Sequence, residues 1–263
     1  MKPDYLSASR ITQYLNCPLK YRLCYEDKAP WDFHPSSMIL GRAIHGAIEG
    51  FYRSNGEIPL EEMLELFNGF WDNEVEGKII EPDCDPMSVK QQGEGLLKAF
   101  HSSVQLGVVL GVEEQFEIPL IDEDTGEFIG NLKGVIDLLE ADTNGGLVIV
   151  DHKTCAKRPS DTDLDQHLQL SAYAFAVRRL KELGDAPILM RIDCLIKNKT
   201  PAFEQRFTLR TADRDPRFLK LCADVLQAID AGAYPPNPGW GCGSCQVKSS
   251  CYYQGKQWIP KMS

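Results

Sequence analysis

No run of apolar residues in this 263-residue chain reaches the about 20 that a membrane-crossing helix needs. The opening segment MKPDYLSASR has no apolar core of the kind a secretion signal carries, so a cytoplasmic protein is expected. A G-x-x-x-x-G-K-[ST] loop is missing, which excludes a P-loop ATPase motor within the chain. Internal repeats and low-complexity tracts are missing too, so nothing argues for a repeat array. Positive charge is in deficit. Twenty-eight Lys and Arg stand against 38 Asp and Glu, a net of −10, which argues against a surface that binds polyanions everywhere. The deficit is uneven: from Lys153 to Lys220 basic residues outnumber acidic ones. That leaves room for a local basic face, although a solvated helix surface gives the same pattern.

What is present is ordinary for a globular protein: 43% hydrophobic and 25% charged residues, enough for one large domain with a real core. Nine cysteines, an odd number at uneven spacing, do not form the disulfide framework of a small secreted domain. Reduced thiols, some of them binding metal, are expected instead.

Residues 7–25 have helical spacing (Ile11, Tyr14, Leu15, Leu19, Leu23) interrupted at Cys17-Pro18. MILGRAIHGAIEGFYRS reads as a helix with Ile44, Ile48, Phe51 and Tyr52 on one stripe, and residues 60–76 and 88–107 as two more. VEEQFEIPLID and FIGNLKGVIDLLE then read as strands joined by an Asp-Thr-Gly turn, and LVIVDHKT as a third strand after the turn ADTNGG. LDQHLQLSAYAFAVRRLKELG is a helix, ILMRIDCLIK and AFEQRFTLR are strands, and a last helix covers 213–232. The tail from Tyr234, rich in Pro, Gly and Cys, cannot fold as regular structure alone. The order of elements implies an α/β core with a mixed sheet flanked by helices.

The strand LVIVDHKT ends in charge, which a buried strand ought to avoid. If the hairpin 132–153 is centred near Asn144, Asp137 and Asp151 are cross-strand neighbours, with Cβ atoms roughly 5 Å apart on one face. Lys153, two residues beyond Asp151, shares that face. Two like charges so close in an apolar sheet are destabilising unless neutralised, and carboxylate oxygens suit Mg²⁺ or Mn²⁺. Lys153 can then orient or deprotonate a water and offset charge on a phosphate. An isolated D-x-K tripeptide is usually a turn cap and a surface pair; a second Asp in register makes the two readings comparable.

At this point the sequence resembles a known family, the PD-(D/E)xK nucleases, and within it the RecB-like branch. The matching pieces are GRAIHGAIE, GVIDLLE, VDHKT and QLSAYAFA, in the family's order and spanning most of the chain. The resemblance implies a restriction-endonuclease-like fold, with His45, Asp137 and Asp151 as metal ligands and Lys153 as a catalytic residue. Gln169 and Tyr173 are implied to position substrate. An upstream acidic residue, Glu113 or Glu114, is implied to assist, with no choice between them. Without the resemblance, His45 is more simply a core histidine beside an apolar stripe. Gln169 and Tyr173 are then an ordinary i, i+4 pair.

Cys242, Cys245 and Cys251 form a C-x₂-C-x₅-C cluster, and a tetrahedral set needs one ligand more. Cys17 is the candidate, Cys24 the local alternative, and Cys84, Cys155, Cys194 and Cys222 are isolated. Spacing leaves zinc and iron–sulfur equally open. The sequence is similar to RecB-like nucleases, including AddB-type helicase-nucleases and a CRISPR-associated nuclease, that have one cysteine before the core and three after it. That similarity implies a [4Fe–4S] cluster joining residues 1–30 to 233–258, with 108–212 as the catalytic core of a single domain. The implied activity is a Mg²⁺- or Mn²⁺-dependent DNase, an exonuclease favouring single-stranded DNA ends. A helicase or integrase on another chain is an implied partner. A rival reading is a non-catalytic DNA-binding or assembly subunit, whose signature would be loss of His45, Asp137, Asp151 or Lys153. A third is a zinc-stapled protein-interaction module.

Overall fold

The computed structural model describes residues 3–122 and 125–254. The first helix, α1 (Ala8–Asn16), starts where the Ser7 hydroxyl accepts the Arg10 amide at 3.2 Å. It stops at Cys17 because the residue before a proline is pushed out of helical conformation, here to φ −160° and ψ 102°. Pro18, whose missing N–H is no loss at a first turn, opens α2 (Pro18–Tyr21), which widens into a π-turn over Arg22–Glu26. The predicted break at Cys17-Pro18 is therefore present. Three longer helices follow: α3 (Ser36–Arg53), α4 (Leu60–Val75) and α5 (Pro86–Ser103). The last starts earlier than 88 because the Asp85 carboxylate caps it and Pro86 takes its first position. It ends well short of 107.

The sheet has the order β1 (Val108–Ile121), β2 (Phe128–Ala141), β3 (Leu147–Cys155), β4 (Ile188–Ile196) and β5 (Ala202–Arg210). All pairs are antiparallel except β3–β4, which is parallel and needs a crossover connection. That crossover contains two helices where the sequence pattern reads as one. α6 (Asp161–Asp165), with a Ser160–Asp163 capping box, stops at Gln166, and α7 (Leu168–Leu180) starts afresh after His167. α8 (Asp215–Asp230) follows β5. Of the Asp-Thr-Gly turn between β1 and β2, Asp124 lies outside the described residues. Gly126, at φ +73°, donates its amide to the Asp122 carbonyl at 2.8 Å.

Helices cover both faces. On one side α1, α7 and α8 pack on Phe116, Ile118, Leu132, Ile149 and Ile192. On the other, α3, α4 and α5 pack on Leu138, Val148, Val150 and Leu195. β3 is thus apolar on both sides, as expected of a central strand, and its residues alternate between the two cores. Among the described residues no helix is long and apolar enough to cross a membrane.

The tail folds into short turns of its own and is fastened to the N-terminal segment. The Tyr14 hydroxyl donates to the Ala233 carbonyl (2.6 Å), the Asp32 amide to the Gln246 carbonyl (2.7 Å), and the Ser249 amide to the Asp32 carboxylate (2.8 Å). Val247 is fully buried against Leu19 and Leu23. Residues 255–258 of the expected cysteine subdomain lie outside the described residues.

The helical layer on the α3 side is close-packed around a glycine. A Cβ at Gly93 on α5 would sit 2.8 Å from Leu40 Cδ1 and into the buried Phe67 ring. Gly93→Ala should therefore lower stability in urea titrations by about 1–3 kcal/mol despite its better helix propensity. Gly69→Ala, at an open position on α4, should raise stability by roughly 0.5–1 kcal/mol. A gain at both positions would mean the three helices are not packed this tightly.

Candidate metal and phosphodiester site

β2 and β3 pair Leu138 with Val150 and Leu139 with Ile149. This is the register of a turn centred on Asn144, but the ladder ends at Leu138 and Val150, one residue short of the expected pairing of Asp137 with Asp151. Beyond it the Asp137 carboxylate, through Oδ2, accepts the His152 amide at 2.8 Å. Asp151 is completely buried. Its Oδ1 takes the Lys153 ammonium at 2.9 Å, and its Oδ2 has no hydrogen-bond partner.

A second distortion faces the first. Glu113 lies between Val112, paired with Leu138, and Glu114, paired with Ile136, so it stands across from Asp137. Its φ of +54° is a left-handed conformation that few non-glycine residues adopt. On the partner strand, Ile136 and Leu138 contribute to opposite cores although they are two residues apart. β2 therefore turns over at Asp137. Such irregularities re-aim side chains, and they collect at functional sites.

His45 reaches this point from α3. It follows Ile44 at the edge of the stripe Ile44, Ile48, Phe51 and Tyr52, all four buried as the spacing predicts. Its Nε2 lies 2.8 Å from the His152 carbonyl oxygen and its Nδ1 3.6 Å from Asp137 Oδ2. A carbonyl only accepts, so Nε2 carries the proton and Nδ1 presents its lone pair beside the carboxylate. Ligand atoms of His45, Glu113 and Asp137 all lie within 4.8 Å of one another. Asp151 is outside that set, next to it and paired with Lys153. Of the two acidic residues left open on β1, Glu113 joins the site and Glu114 is exposed.

The electrostatics follow from burying like charges. Burial first, and Asp151 second, push the Asp137 carboxyl above its ordinary range. Burial and Asp137 push Glu113 up to about 7. Burial pulls His45 down, with Asp137 opposing, which keeps the ring neutral and able to coordinate. Burial alone would lower the Lys153 ammonium, but Asp151 and Asp137 more than offset it. A site with an unpartnered carboxylate oxygen, two carboxyls pushed upward and a neutral imidazole fits a hard divalent cation.

Gln169 and Tyr173 sit on α7, where the Gln169 amide donates to the Tyr173 hydroxyl at 2.5 Å and Tyr173 meets Phe116 edge-on. With Asp137 they line a groove of about 770 Å³ that continues to Tyr5 and Lys133. Neither of those two has a sequence signal that marks it. His45 and Glu113 open on a separate depression of about 480 Å³.

Cys17, Cys242, Cys245 and Cys251 line one cavity of about 570 Å³. They do not close to 4.8 Å as the His45 set does. Cys24, pushed up to about 11 by burial, packs near Cys17 and Cys245 but is outside the described lining of that cavity. Cys155 and Cys194 are not isolated, in contrast to the expectation: the two thiols interact across β3 and β4, and the nearness of Cys194 lowers the Cys155 thiol to about 7.

No curated protein matches the chain. Among solved structures, it is similar to an Eubacterium rectale protein provisionally assigned as an exonuclease. The TM-score is 0.55 at 14% identity, covering 99% of this chain and 91% of that one. A second, SSO0001, gives 0.37 at 12% identity over 94% of this chain and 96% of that one. The sequence profile of the PD-(D/E)XK nuclease superfamily matches residues 5–252, and with that extent of match the chain belongs to the superfamily.

Proposed function

We propose that the chain is a metal-dependent deoxyribonuclease hydrolysing phosphodiester bonds, and that it acts as an exonuclease on single-stranded DNA ends. The observation that carries this is the convergence of His45, Glu113 and Asp137 within 4.8 Å beside the Asp151–Lys153 pair. His45 Nδ1, Asp137 and Asp151 are the metal ligands in this reading, and Glu113 is a fourth. A Mg²⁺ or Mn²⁺ ion bound by these residues would supply Lewis-acid chemistry toward a phosphate and a water. Lys153, held by Asp151, positions that water and offsets charge on the phosphate. Gln169 and Tyr173 orient the strand in the groove that ends at Asp137. End-directed cleavage also draws on the likeness to the Eubacterium rectale protein. With no ATPase loop of its own, the chain works alone or beside a helicase or integrase supplied by another protein.

The same proposal assigns a [4Fe–4S] cluster to Cys17, Cys242, Cys245 and Cys251. What supports this is that the four thiols line one cavity, a set that could hold zinc as well as an iron–sulfur cluster. The cluster would staple the N-terminal segment to the tail. A non-catalytic DNA-binding subunit is the rival reading; it has no need of His45, Asp137, Asp151 and Lys153, all of which are present.

Three outcomes are expected. On end-labelled single- and double-stranded DNA with Mn²⁺, Asp151→Ala and Lys153→Ala should each cleave at least about 100-fold more slowly than wild type. Equal cleavage by all three removes the proposed site, and binding without turnover favours the rival. Protein purified without oxygen should be brown and contain iron lost on Cys245→Ser; stoichiometric zinc and no iron would reverse the assignment.

The third outcome concerns pH. Glu113 is raised in the fold to about 7 from an ordinary 4.5, so below 4.5 both folded and unfolded chains hold its proton and it contributes nothing. As pH rises through that window the unfolded chain ionises first, and the folded state loses stability until about pH 7. In EDTA, Glu113→Gln should match wild type at pH 4. At pH 8 it should be more stable by about 1–2 kcal/mol, a figure discounted for the half-exposed site. Urea titrations with added Mg²⁺ should remove that advantage; a variant that is never more stable than wild type would contradict it.

A further inference from the structure

Behind the site, on the α3 face of the sheet, four ionisable side chains are buried in a row across three strands. His152 on β3 stands beside Asp193 on β4, Arg191 beside Val150, and Glu140 on β2 beside Val148. None is more than 4% exposed. His152 Nδ1 is 3.4 Å from Asp193 Oδ2. The Arg191 guanidinium grips Asp193 with two bonds, 2.7 and 3.1 Å, and pairs with Glu140 at its other end. The Tyr52 ring stacks on His152 at 5.5 Å and 16°, and its hydroxyl lies 3.5 Å from Asp193. Burying such a set is unfavourable compared with packing apolar residues of the same volume, so its presence asks for a purpose other than stability.

The main chain of His152 supplies one. Its amide binds Asp137 and its carbonyl binds His45, both at 2.8 Å. One residue therefore spans two of the proposed ligands with its backbone, while its ring is stacked on Tyr52 and its Nδ1 faces Asp193 at ion-pair distance without a formed hydrogen bond. We infer that His152 and the Asp193–Arg191–Glu140 chain form a positioning device for the cation site, locking the His152 backbone and through it His45 and Asp137. The inference rests on the proposed metal site and adds residues that touch neither metal nor DNA. It also explains why a histidine, rather than an aliphatic residue like Val148 and Val150, points into this apolar core.

The test is Mn²⁺ binding alone, followed by electron paramagnetic resonance without DNA, alongside cleavage and thermal melting. His152→Phe keeps the ring volume and the stack on Tyr52 but loses the nitrogens; it should fold and bind Mn²⁺ about 10-fold or more weakly, as losses behind a metal ligand do. His152→Asn, which returns a donor near the position of Nδ1, should restore most of that affinity. Asp193→Asn should weaken binding as His152→Phe does, and it decides the matter if His152→Phe does not fold. At saturating Mn²⁺ the weakened variants should recover cleavage, so the defect lies in metal demand. A folded His152→Phe with wild-type Mn²⁺ affinity overturns the positioning role, and so does a His152→Asn as weak as His152→Phe. Wild type that neither binds Mn²⁺ nor cleaves DNA overturns the nuclease reading itself.

Discussion

Everything in this molecule is arranged around an electrostatic conflict: carboxyls of Glu113, Asp137 and Asp151 meet where the β2–β3 ladder stops. In a water-filled cleft such a cluster would be unremarkable. Here Asp151 is fully buried with one oxygen unpartnered, and Asp137 is 8% exposed. Burial makes their mutual repulsion stronger and their separate ionisation harder. Lys153 and protonation of Glu113 each relieve part of this, and in the proposed site a cation would satisfy the oxygens together.

The pleat of β3 divides labour between the two faces. Ile149, Asp151 and Lys153 follow one another at period two, and so do Val148, Val150 and His152. The first set meets the α7 side, with Gln169, Tyr173 and the groove. The second meets the α3 side, with Tyr52 and the buried Asp193–Arg191–Glu140 chain. Had the ladder continued, the two faces would stay separate. Because it ends at Leu138 and Val150, the His152 amide and carbonyl are free to bind Asp137 and His45. Chemistry on one face is thereby tied to support on the other.

Much of this was legible beforehand for a physical reason. Period and turn position decide which residues face each other, so the hairpin centre alone gives the Leu138–Val150 register that brings the Asp137 and Asp151 segments together. The buried stripe beside His45 and the Cys17-Pro18 break are equally local. What sequence could not decide depends on irregular backbone. Glu113 enters the site, rather than Glu114, through a register shift between Val109 and Gly111 and a left-handed φ. No propensity announces these, since a glutamate is not a residue that favours either. The His152–Asp193 contact was hidden for another reason: it needs the parallel β3–β4 register, and that is set by packing of a crossover more than 30 residues long.

The end of the β2–β3 ladder also gives the N-terminal segment its place. Beyond Leu138 the free edge of β2 is taken by Leu6, whose amide donates to the Asn131 carbonyl and whose carbonyl accepts the Lys133 amide, both at 2.8 Å. Tyr5 and Ser7, on either side of it, wall the groove that leads to Asp137. From Ser7 the chain rises through α1, roughly 14 Å of rigid helix, to Cys17 in the thiol-lined cavity. Whatever fastens Cys17 to the tail therefore fixes one end of a lever whose other end borders the substrate groove. The proposed staple at the cysteines would therefore act at the far end of the same helix whose start borders the groove.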